Sequence, residues 1–203
     1  MAHKHKKVPF LGRSPEFMAR RFNGYAAQPE SKAEEILAHL AVRPGAAVAD
    51  VGAGGGYFAL RFADLVGAGG IVYAVDIQWE FLHFIEASAE KAGIRTIRTI
   101  QAEEDDPNLP AKSVDLVFMR NAFHHLGDPE AYFTRLRPAL RPGGRVAVIE
   151  HKRHGMLNFV KLFGHYTPEG AIVEILRKAG FKPAARYDFL KKQSFTVFTP
   201  EPE

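Results

Sequence analysis

Val48-Ala49-Asp50-Val51-Gly52-Ala53-Gly54-Gly55-Gly56-Tyr57 runs from an apolar stretch into a cluster of glycines. Its first half, Ala47–Val51, reads as a short strand buried on both faces, since it shows no polar alternation. Glycine directly after such a strand lets a ligand lie against bare backbone. In an open parallel sheet that loop lies at the carboxyl end of a strand, where ligands bind at the point of reversal in strand order.

The flanking sequence repeats the pattern. Apolar strands are expected at 71–75, 97–100, 114–119 and 146–149, with amphipathic helices between them. Ser31-Lys32-Ala33-Glu34 has the spacing of a capping box, followed by Ala33, Ile36, Leu37 and Leu40 on one face, until Arg43-Pro44-Gly45 breaks the helix. Phe58, Phe62 and Leu65 mark the helix after the glycine loop; Leu82, Ile85, Ala89 and Ala92 mark the next. Phe133, Leu136 and Leu140 mark a third, opened by Asp128-Pro129. Thr167-Pro168 caps a last helix through Ile172, Ile175, Leu176 and Ala179, ended by Gly180, before strands at 181–187 and 195–198 close enough to pair antiparallel. The expected fold is a single α/β domain with a Rossmann-like, doubly wound, mostly parallel sheet, seven strands in all, the last pair antiparallel.

Composition bounds the function. With 203 residues, 46% apolar and 25% charged, the chain suits one soluble domain. No run approaches a membrane span, and the opening MAHKHKKVPFLG lacks the apolar core of a secretory signal, so a cytoplasmic protein is expected. The absence of cysteine excludes disulfides, cysteine-rich zinc sites and a thiol nucleophile. The net charge of +4 is local: Lys4, Lys6, Lys7, Arg13, Arg20 and Arg21 face only Glu16 in the first 21 residues, and the remainder is nearly neutral. Residues 1–30 are read as a basic arm. Its aromatic and arginine-rich part, 17–25, is either a lid over a ligand or a helix packed outside.

Asp76 closes the second strand twenty residues after Gly56, where a carboxylate can accept hydrogen bonds from both hydroxyls of a ribose. A dinucleotide fingerprint requires G-x-G-x-x-G, and here the sixth position is Tyr57; the loop is G-x-G-x-G. With VADVGAGGGYF, VYAVD, the acidic AEEDDPNLP, VDLVFMRNAFHHL and LRPGGRVAVIE in this order, the chain resembles the class I S-adenosylmethionine-dependent methyltransferases. Its nearest likeness is to small-molecule enzymes of the ubiquinone/menaquinone-biosynthesis kind, methyltransferase type 11. The resemblance implies S-adenosylmethionine as cofactor and a methyltransferase domain over 31–203. Asp50, Gly52 and Gly54 would hold the methionine end, with Ala53, Gly56 and Tyr57 completing the loop. Asp76 would take the ribose diol, Ile77 would line the adenine, Ala102-Glu103 would receive the adenine amino group, and Asn121 would face cofactor and substrate together.

Methyl transfer from a sulfonium is an in-line displacement with a good leaving group, so alignment supplies most of the catalysis. A base is needed only for an acceptor that arrives protonated, and histidine suits neutral pH. His125 and His124, just past the fourth strand, are the leading candidates, with His151 after the fifth; His154 and His165 could converge there. His39 and His83 are read as surface or packed groups. H-x-x-H in a loop with Lys152 and Arg153 between is poor for a dication, so no metal site is expected. Asn121-Ala122-Phe123-His124 lacks the prolines and final aromatic of nucleobase amino-methyltransferases, which disfavours nucleic acid as acceptor. The expected acceptor is a small or lipid-like molecule. Two other readings stay open, a cofactor-binding module without turnover and an RNA methyltransferase using the basic arm.

Overall fold

The computed structural model describes residues 13–152 and 166–202. The chain forms two compact units, divided in sequence between Glu104 and Asp105. The first holds α1 (Pro15–Ala26), α2 (Ala33–Leu40), β1 (Ala47–Val51), α3 (Tyr57–Val66), β2 (Ile71–Asp76), α4 (Trp79–Lys91) and β3 (Ile97–Gln101). The second holds β4 (Val114–Arg120), α5 (Pro129–Leu136), β5 (Leu140–His151), α6 (Glu169–Lys178), β6 (Phe181–Tyr187) and β7 (Gln193–Pro200).

The strand order is β3-β2-β1-β4-β5-β7-β6. β1 pairs parallel with β2, β2 with β3 and β4 with β5, while β7 lies antiparallel to both β5 and β6. The expected Rossmann-like sheet, with seven strands and an antiparallel last pair, is the one found. β1 is buried along its whole length, as a parallel strand covered on both faces must be.

Several local expectations are corrected. Ser31 does not cap α2: its hydroxyl donates back to the Ala26 carbonyl, and α2 starts at Ala33 behind Lys32 in the left-handed conformation, with no side-chain cap. The buried stripe of α2, Ala33, Ile36, Leu37 and Leu40, is as read. In α3 the buried face is Phe58, Ala59, Phe62, Ala63 and Val66, and Leu65 turns outward. Ala92 lies past the end of α4 and is exposed. Leu140 is not on α5; Pro138 cannot continue a helix, and Leu140 opens β5 by pairing with Val114. Asp128 caps α5 through its Oδ1, which accepts from Ala131 N–H at 3.0 Å, but Thr167 does not cap α6, whose N-cap is Pro168. β5 is longer than expected because the register jumps from Leu140 to Arg145, with residues 141–144 bulged between.

Candidate functional site

The β1–α3 loop is held by its own backbone and by three side chains. Gly52 and Ala53 N–H both donate to the Val75 carbonyl at 2.8 and 3.1 Å, tying the loop to the end of β2. Asp76 then reaches back: its Oδ2 accepts from Gly54 N–H and its Oδ1 from Gln78 N–H, each at 2.9 Å. The N-cap of α3 is Gly56, which has no side chain to satisfy the first free N–H groups of the helix. Two distant residues do that work. Asn23 on α1 accepts from Tyr57 N–H at 3.1 Å, and Asp50 on β1 accepts from Ala59 N–H.

The three consecutive glycines have three separate reasons. At Gly54, with φ at +52°, an added Cβ would meet the Phe22 ring at 3.3 Å. At Gly55 it would lie 2.2 Å from the Ala19 carbonyl oxygen and 2.3 Å from Asn23 Oδ1, so α1 rests directly on this residue. At Gly56, with φ at +80°, it would strike Ile85 of α4 at 2.6 Å. Residues 17–25 therefore lie on α1, and that helix sits against the glycine loop within the first unit.

The electrostatics favour a ligand that brings positive charge and hydrogen-bond donors. Burial pushes the Asp50 carboxyl up to about 7 against the lowering effect of the Ala59 N–H, and the neighbouring charge of Asp76 adds to the rise. Asp76 is raised as well, chiefly by burial, although the backbone N–H groups of Gln78 and Gly54 oppose it. Asp50 Oδ2 and Gln78 Oε1 are buried acceptors without a hydrogen-bond partner. An ammonium, ribose hydroxyls, an adenine amino group and a sulfonium, the groups of S-adenosylmethionine, fit this acceptor-rich set. A pyrophosphate does not: it wants free N–H groups at a helix N-terminus, and those of Tyr57 and Ala59 are taken.

In the second unit the polar groups gather at the carboxyl ends of β4 and β5. Glu150, fully buried near the end of β5, accepts from His124 on two sides: ring Nδ1 lies 2.9 Å and the backbone N–H 3.3 Å from Oε2. Its other oxygen accepts from His151 N–H at 2.8 Å. The His124 side chain is only 5% exposed, whereas His125 is exposed, its ring tilted by 48° with its centroid 4.1 Å from that of His124. Asn121, in the left-handed conformation at φ +55°, donates its N–H to Ile149 O at 2.8 Å. Its Oδ1 accepts from Gln193 Nε2 at 2.6 Å, and Gln193 Oε1 accepts from Arg120 at 2.9 Å.

The acidic run after β3 is sorted by these contacts. Ala102 is buried and donates its N–H to the Asp76 carbonyl at 3.0 Å, while Glu103 is exposed. Asp105 pairs with Arg135, and Asp106 closes a turn by accepting from Asn108 N–H at 2.8 Å. Both therefore have local structural work, and Glu103 is exposed beside the buried Ala102. Ile77 is half-buried beside Asp76. His154 and His165 lie outside the described residues. Asn23, Gln78, Glu150 and Gln193 were missed in the sequence. Only Glu150 carried a signal, an acid ending an apolar strand.

The family model described as a methyltransferase domain matches residues 49–148. Nocamycin O-methyltransferase of Saccharothrix syringae is 32% identical over 116 residues, 57% of this chain and 41% of that protein. The ubiquinone/menaquinone biosynthesis C-methyltransferase of Shewanella frigidimarina is 26% identical over 156 residues, 74% of this chain and 59% of that protein. The chain thus spans about half the length of the curated relatives it matches. In fold it is similar to a SAM-dependent methyltransferase from Aquifex aeolicus, with a TM-score of 0.81 at 23% identity, covering 92% of this chain and 98% of that one. The family match spans the glycine loop, Asp76 and the strand that ends at Arg120; residues 49–148 carry a methyltransferase domain of the class I S-adenosylmethionine-dependent kind, with S-adenosylmethionine as its cofactor.

Proposed function

We propose that the protein transfers the methyl group of S-adenosylmethionine to a small or lipid-like acceptor that carries a proton at neutral pH, such as a hydroxyl. The observation that carries the methyltransferase reading is the acceptor-rich loop of the first unit, where Asp50 and Gln78 keep unpartnered buried oxygens and the Tyr57 and Ala59 N–H groups of α3 already have side-chain acceptors. When bound, the cofactor supplies an electrophilic methyl on a positive sulfur. Asp50 holds the cationic methionine end, Asp76 takes the ribose diol with the lone pairs that Gly54 and Gln78 leave free, and Glu103 receives the adenine amino group.

His124 is the general base of this reading. Its Nδ1 faces the buried Glu150, so a proton on Nδ1 makes Nε2 the basic nitrogen of the ring. This pairing ranks His124 above His125 and above His151, which meets Glu150 through its backbone. The relatives named as O- and C-methyltransferases differ in acceptor atom, and an oriented imidazole suits the former. We assign residues 1–30 to an arm whose last part is α1, residues 31–203 to the catalytic domain, and the cytoplasm as compartment.

The test is S-adenosylhomocysteine release with a panel of hydroxylated metabolites and lipids. Turnover with one class, lost in His124→Asn with cofactor affinity intact, is expected. Cofactor binding with no product across the panel would favour a binding module instead, and salt-sensitive RNA binding lost with the basic arm would favour an RNA substrate.

A further inference from the structure

We propose that Asn23 is a positioning residue for the cofactor loop, and that α1 is a latch closed on that loop through Ala19, Phe22 and Asn23. The proposal rests on the reading of the β1–α3 loop as the cofactor site. The Asn23 amide spans the loop with both of its ends. Nδ2 donates to the Gly55 carbonyl at 2.7 Å, and Oδ1 accepts from Tyr57 N–H at 3.1 Å, so one side chain fixes the peptide groups on either side of Gly56. Gly56 is the α3 N-cap, sits at φ +80° and has no side chain to cap the helix. Without Asn23 the turn loses the only side chain that holds Tyr57 N–H among the described residues, and the angle at which β1 enters α3 is free to vary.

The other two contacts aim the amide. Ala19 is fully buried, and its carbonyl lies where a Gly55 Cβ would be, so the α1 backbone lies flush on the loop. Phe22 packs edge-on against Phe81 of α4, 5.7 Å between centroids, and its ring covers Gly54. Arg20 lays its guanidinium over the Phe84 ring of α4, 5.6 Å from the centroid, while Phe17, Arg21 and Tyr25 of α1 are exposed. Ala19 is the helix's one buried residue, so α1 is attached by a narrow stripe. A helix held by the Ala19 and Phe22 contacts, the Arg20 stack on Phe84 and the two Asn23 hydrogen bonds opens more readily than the sheet. Because Phe22 lies over Gly54, entry and exit of a ligand at that glycine are coupled to α1 opening.

The decisive experiment combines calorimetric titration of S-adenosylmethionine with limited trypsin cleavage at Arg20 and Arg21. Asn23→Ala is expected to weaken binding about 5- to 100-fold, the loss for two hydrogen bonds, with the KM for the acceptor unchanged. Asn23→Asp, which keeps the acceptor toward Tyr57 and loses the donor toward Gly55, should fall between. In the unvaried protein, saturating S-adenosylhomocysteine should slow cleavage at Arg20 and Arg21, and Asn23→Ala should speed it. Affinity within twofold of the unvaried protein with only a lowered Tm would overturn the proposal. So would cleavage of the unvaried protein that ignores saturating cofactor, a readout that stands even if the variant fails to fold. If the unvaried protein bound no cofactor, the reading of the loop itself would fall, and the titration shows that before any variant is made.

Discussion

The β1–α3 loop and the ends of β4 and β5 are both polar clusters at the carboxyl ends of parallel strands, yet they are wired differently. In the loop each of the bonds from Asp76 and Asn23 ends on backbone: Gly54 N, Gln78 N, Gly55 O and Tyr57 N. In the second cluster the principal bonds join side chain to side chain: His124 to Glu150, Asn121 to Gln193, Gln193 to Arg120. Backbone wiring fixes a shape through glycines and turn spacing, which is the same for any substrate of the family. Side-chain wiring can be redrawn without altering the fold. The first cluster therefore suits a shared cofactor and the second an individual acceptor.

Five substitutions sharpen or break this contrast. Gly54→Val should abolish detectable cofactor binding, since the new side chain meets Phe22 and the residue sits at φ +52°, a region closed to a β-branched residue. Circular dichroism and titration together check it, and retained affinity would remove Gly54 from the site. His124→Asn should lower kcat by about 10²- to 10⁴-fold, with cofactor affinity nearly unchanged. His125→Asn should not lower kcat, and the reverse ranking would transfer the base to His125. Asp76→Ala should cost about 1.5–3 kcal/mol of cofactor binding, as loss of charge-assisted hydrogen bonds does. Asp106→Ala should cost less, because that carboxylate holds only its own turn.

Asp50→Asn concerns pH. The folded-state value for Asp50 is raised from 3.8 to about 7, so the folded protein holds a proton that the unfolded chain gives up. Stability from this group is full below about pH 4 and is lost as pH rises toward 7, the sign required when the native state binds more protons. Without cofactor, the Tm should fall across that window, and Asn at this position should flatten the fall. Binding of a cationic cofactor should lower the Asp50 value and release protons at pH 7, measurable as a buffer-dependent heat. A Tm profile equally steep in Asp50→Asn would place the titrating charge elsewhere.

The same contrast explains how far the sequence could be read. The strands and the glycine loop were legible because burial on both faces and left-handed glycine leave local marks. Ser31 misled because a capping box records only spacing, and its hydroxyl found the Ala26 carbonyl instead. Leu140 misled because Pro138 ended the helical period before it. Asn23 was invisible. Its amide acts on residues 32 and 34 positions away, and nothing in residues 17–25 marks which polar side chain will face a loop not yet placed. Glu150 sat inside a quoted motif without a role, since its partner His124 is 26 positions distant and adjacent to a second histidine.

The glycine loop receives S-adenosylmethionine and not a dinucleotide if, as argued above, Asn23 and Asp50 already take the Tyr57 and Ala59 N–H groups of its helix and the buried oxygens of Asp50 and Gln78 stand as acceptors. Titration of the unvaried protein with S-adenosylmethionine and, separately, with NAD tests it most directly. The account predicts saturable one-to-one binding of the first, with proton release at pH 7, and no heat above dilution for the second. Saturable NAD binding with no response to S-adenosylmethionine would contradict it.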